Sequence, residues 1–118
     1  MSGLALFPAP STGGGGSGAG WTLKGASFTA VAGGRILADT SGGAWTLTLP
    51  ASPHAGDSVA ILDRKKSWAD HNLTIARNGH NIESSASDLT ANSAGASLEL
   101  VYSGDATVGW RVVVTPSA

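Results

Sequence analysis

The sequence predicts an all-β fold, a small antiparallel β-sandwich or barrel. From Trp21 onward, short runs alternate apolar and polar residues, the period of a strand with one buried face. The breaks between those runs hold Gly25, Gly33-Gly34, Gly42-Gly43, Asn78-Gly79 and Gly104-Asp105, residues that turn a chain tightly. No stretch sustains a helical period. Strands at this spacing suit sandwiches and small barrels.

Two segments divide the chain. Residues 1–20 read as a Gly/Pro-rich flexible arm, because glycine at the density of residues 13–20 loses too much backbone entropy to order alone. Leu4, Leu6 and Phe7 give the arm an apolar tip suited to a partner, and Pro8 and Pro10 keep it extended. Residues 21–118 read as the β domain. Its expected strands are Trp21–Lys24, Ser27–Val31, Arg35–Asp39, Trp45–Leu49, Ser58–Asp63, Leu73–Arg77, Ser97–Ser103 and Trp110–Thr115. The Trp45 run is the clearest. Trp45, Leu47 and Leu49 share one face, Thr46 and Thr48 the other, and Pro50 ends it by lacking a donor. Ser84–Ala96, rich in Ser, Ala and Asn, reads as a loop with Leu89 as its apolar anchor. Asn78-Gly79 signals a hairpin or tight turn.

The last two strands carry Val101 and Val113 on the face opposite their main apolar rows. A strand apolar on both faces is covered on both sides. In a chain of 118 residues without cysteine, the expected second cover is another subunit, in a closed and symmetric homo-oligomer.

Composition excludes several functions. Seven Lys/Arg stand against eight Asp/Glu, a balance unsuited to broad phosphate contact, so no nucleic-acid partner is expected. No apolar run reaches the roughly 20 residues that cross a bilayer, and no signal peptide is read at the N-terminus. Without cysteine there is no disulfide or thiolate zinc site. His54, His71 and His80 match no compact metal motif, so neither metal nor cofactor is expected.

Catalysis is not expected either. Glycan cleavage needs two carboxylates across a bond. Most of Asp39, Asp57, Asp63, Asp70, Glu83, Asp88, Glu99 and Asp105 sit beside Gly, Ser or Asn, where a carboxylate caps a turn. No nucleophile elbow appears. Arg64-Lys65-Lys66, after the Ser58–Asp63 run, reads as a docking patch for an acidic surface. Trp68 lies among polar residues and reads as an exposed anchor for an interface or a sugar ring.

Several segments together carry a resemblance. They are Ala38-Asp39-Thr40-Ser41-Gly42-Gly43-Ala44-Trp45-Thr46-Leu47-Thr48-Leu49-Pro50, Ala55-Gly56-Asp57-Ser58-Val59, Asn72-Leu73-Thr74-Ile75-Ala76-Arg77-Asn78-Gly79, Leu100-Val101-Tyr102 and Gly109-Trp110-Arg111-Val112-Val113. In order and spacing, across residues 35–114, they resemble a small β module of tailed-phage virion structural proteins. The resemblance implies a non-enzymatic, often trimeric module of head decoration or cement proteins, tail fibres or spikes. The short chain favours a homotrimeric capsid decoration protein bound to the major capsid protein in the virion. The rival expectation is a tail-fibre or tail-tip module that binds a host glycan or receptor.

Overall fold

The computed structural model describes residues 20–115, so the arm's expected anchors Leu4, Leu6, Phe7, Pro8 and Pro10 lie outside the described residues. Nine strands and no helix occur among the described residues: β1 Thr22–Lys24, β2 Phe28–Thr29, β3 Arg35–Ala38, β4 Trp45–Thr48, β5 Ser58–Asp63, β6 Leu73–Ala76, β7 Leu89–Ala91, β8 Ser97–Tyr102 and β9 Trp110–Thr115. They build a five-stranded sheet, ordered β1-β3-β5-β8-β9, and a four-stranded sheet, ordered β2-β4-β6-β7. One core, drawn from both sheets, lies between them.

The expected antiparallel architecture is corrected: both sheets are mixed. Over its first six strands the chain steps from one sheet to the other at every connection, as a flattened coil. Consecutive turns of the coil therefore stack parallel. Ile36 lies between Thr22 and Ile61 in one sheet, and Leu47 between Phe28 and Ile75 in the other. Only the last strands fold back, β7 antiparallel on β6, β8 on β5 and β9 on β8. The glycine breaks explain this. They carry the chain across to the opposite sheet rather than back beside the strand just made. Same-sheet neighbours are thus separated by a whole strand of the other sheet, the long connection that parallel pairing requires.

Alternation fixes which residues fill the core. Leu47, Leu49, Val59, Ile61, Leu73, Ile75 and Leu100 are fully buried. Trp110 closes one end of the core, edge-on to Tyr102 with ring centroids 5.3 Å apart. The expected loop over Ser84–Ala96 is also corrected, since Leu89–Ala91 forms β7 and pairs Leu89 with Ile75 and Ala91 with Leu73. Three residues are too few for a period of two to declare itself. Asn78 and Gly79 make the expected tight turn, with φ of 51° and 88°, and the Asn78 side chain donates to the Leu49 carbonyl at 2.9 Å.

Candidate functional site

The connection after β5 is organised by Asp63, the last residue of that strand and one of few buried polar residues. Its carboxylate accepts from the Ser67 and Trp68 amides, both at 3.0 Å, and from the Gly95 amide at 2.9 Å. The chain therefore wraps around the carboxylate, with Lys66 at φ 56° to make the turn. Ser67 is drawn inward, where its hydroxyl meets that of Thr40 at 2.8 Å.

This loop corrects one expected site residue. Trp68 is fully buried and belongs to the core, so it offers no surface to a sugar or partner. The cause is the Asp63 carboxylate, which fixes the Trp68 amide and turns the side chain beneath the loop. Arg64, Lys65 and Lys66 are exposed, as the docking reading requires, but they are not equivalent. Arg64 Nη1 donates to Asp39 Oδ2 at 2.8 Å. Asp39 Oδ1 also accepts from the amide and hydroxyl of Ser41, at 2.9 and 2.6 Å. Those Ser41 bonds first, and Arg64 after them, hold the Asp39 carboxyl below its ordinary value. Lys65 and Lys66 make no ion pair among the described residues.

Sequence reading placed Val101 and Val113 on a second apolar face without seeing its extent. Register shows it. Leu23, Leu37 and Leu62 align across β1, β3 and β5 on the outer side of the five-stranded sheet. The next row runs Arg35, Ala60, Glu99, Val113. Small floor residues, Ser58, Ala60 and Ser97, leave a shallow depression of about 400 Å³ on this face, with Trp21 and Val113 among its walls. Trp21 is the exposed tryptophan, and the Arg35 guanidinium lies 4.7 Å from its ring centroid.

Three further carboxylates hold loop amides. Asp57 accepts from the His54 amide, Asp88 from the Arg77 amide, and Asp105 from the Thr107 and Val108 amides. His54 and His71 are exposed, and the His80 ring bonds the Ala51 carbonyl at 2.9 Å. No cluster of three metal-ligating side chains occurs among the described residues. Glu83 pins the connection after β6 to β9, accepting from the Val112 amide at 2.7 Å and Arg111 Nε at 2.9 Å.

The Val112 bond first, and Arg111 after it, lower the Glu83 carboxyl from its ordinary 4.5. A lowered carboxylate contributes stability above its unfolded pKa and loses it as pH falls through the folded one. The Glu83→Gln variant is therefore expected to melt below wild type at neutral pH, with the gap closing as pH falls below 4.5. Thermal melts across acidic pH check this, and a gap that stays constant refutes it.

No protein-family model matches the chain, and no curated protein matches it significantly.

Proposed function

We propose that the protein is a phage virion structural protein, a capsid decoration or cement protein that reinforces the head surface as a homotrimer. The observation that carries this reading is the outer face of the five-stranded sheet. Leu23, Leu37, Leu62, Val101 and Val113 give it more apolar surface than a free sheet face needs, while Arg35 and Glu99 flank Ala60 with opposite charges. Such a face suits burial against the other copies around a shared three-fold axis, since each copy brings both signs of charge and an apolar strip. The resemblance of residues 35–114 to virion modules supports the same reading.

Work in this reading is adhesion rather than chemistry. A rigid β core spans neighbouring capsid subunits, Leu4, Leu6 and Phe7 anchor each arm, and Lys65 and Lys66 meet an acidic surface. Three identical attachments give avidity that one weak contact lacks. The rival tail-tip reading loses the exposed Trp68 on which it stood.

Light scattering after size exclusion tests the assembly: a trimer of the 11.7 kDa chain has a mass of about 35 kDa. Deleting residues 1–20 is expected to abolish binding to stripped particles while leaving the core folded. Undiminished binding refutes the arm's role, and a stable monomer refutes the trimer.

A further inference from the structure

The outer face of the five-stranded sheet has two unlike halves. The large apolar side chains exposed among the described residues are Trp21, Leu23, Val31, Val113 and Val114. None of them lies on the inner strands β3, β5 and β8. Leu23 belongs to β1, with Trp21 just before it, and Val31 shares the wall of a depression with Thr22 and Lys24. Val113 and Val114 belong to β9. β1 and β9 are the two edges of this sheet. The middle of the face is lower, floored by Ser58, Ala60 and Ser97.

Charge divides the face in the same way. Arg35 and Glu99 flank Ala60, so their backbones stand two strand spacings apart, about 9–10 Å. Neither makes an ion pair among the described residues. Trp21 explains the separation. Its ring centroid lies 4.7 Å from the Arg35 guanidinium and holds that cation toward β1, away from Glu99. Arg111, aligned with Val101, is already neutralised by Glu83 at 2.9 Å. The β1–β3 half is therefore apolar and positive, and the β8–β9 half apolar and negative.

We propose that copies of this chain join head to tail, the β1–β3 half of one outer face against the β8–β9 half of the next, with Arg35 facing Glu99 of the neighbouring copy. In a ring of three, each copy touches two neighbours and shows a different patch to each, which is what two unlike halves supply. Opposite charges meet across the joint, and Trp21 and Leu23 meet Val113, so one contact covers exposed apolar residues and unpaired charges together. Joining like halves would set Arg35 against Arg35 and Glu99 against Glu99, a repulsion that selects the head-to-tail order. The low centre of each face is left lining the three-fold axis. The inference rests on the trimer reading and names the surface that makes the trimer.

Light scattering of the full-length chain over a range of concentrations tests the pairing. Arg35→Glu and Glu99→Arg are each expected to weaken assembly by about tenfold or more, and the double variant to recover most of that loss. Both positions are exposed, and recovery in the double variant shows that neither change harms the fold. Mixing reads the order of the halves. Leu23→Asp spoils only the β1–β3 half and Val113→Asp only the other, so each variant alone is expected to be monomeric. Together they keep one sound joint, which gives a heterodimer of about 23 kDa from the 11.7 kDa chains. A wild-type trimer that resists both single charge reversals, or a double variant no better than either, overturns the pairing and leaves the trimer reading standing. A mixture without heterodimer overturns the head-to-tail order. A monomeric wild type removes the trimer reading and this inference together.

Discussion

Asp63→Ala is expected to lower the free energy of unfolding by about 3–5 kcal/mol. One buried carboxylate serves three backbone amides, those of Ser67, Trp68 and Gly95. A buried donor stripped of its acceptor costs about 1–3 kcal/mol, and water entering the vacated space recovers part of the total. The damage reaches beyond the loop, because the same bonds hold Trp68 in the core and tie the β5 end to the segment before β8. Urea unfolding measures the loss, and tryptophan emission should shift to the red as Trp68 meets water. Asp63→Asn keeps one acceptor oxygen and should lose less. A loss under about 1 kcal/mol for the alanine variant would contradict the assigned role.

Gly109→Ala is expected to be at least as damaging, with little soluble protein or a loss of about 4 kcal/mol or more. Two costs combine. Gly109 has φ of 73°, and an alanine there pays about 1–2 kcal/mol for the left-handed conformation alone. The new Cβ would also overlap the backbone of Asn81, whose carbonyl accepts the Trp110 amide at 2.8 Å. That backbone cannot yield without breaking the bond that starts β9. Gly79→Ala separates the two costs, for it has φ of 88° but open space around the added carbon. It should lose only the conformational part. Similar melting temperatures for the two variants would show that the contact with Asn81 is unimportant.

Strands were legible because alternation is local. Trp45, Leu47 and Leu49 are buried and Thr46 and Thr48 half-buried, as their spacing requires. Parallel pairing was not legible, since a strand shows the same period of two whichever way its neighbour runs. The difference lies in where Gly25 and Gly42-Gly43 send the chain, and a turn sequence does not state its destination. Trp68 was misread for a related reason. Its polar neighbours describe the loop, but its burial depends on the Asp63 carboxylate, which also binds Gly95 far along the chain. Lys65 and Lys66 kept their expected exposure, while the pairing of Arg64 with Asp39 joins residues 25 apart and no local pattern announces it. The outer apolar face was half visible, through Val101 and Val113. Leu23, Leu37 and Leu62 complete it only once register is known.

The coil also dictates how the chain comes to be folded. β5 pairs with β3 on one side and β8 on the other, and the second pairing brings Ser58 to Val101. A contact between such distant residues must close a long loop before it returns any stabilisation, so forming the central β5–β8 pair is the slow step. Once it stands, β3 and then β1 need close only short loops to lie alongside. Growth proceeds outward from β5, and opening runs the opposite way, with β1 and β2 leaving before the central strands yield. The end at which the chain enters is thus the last to be built and the first to be lent out.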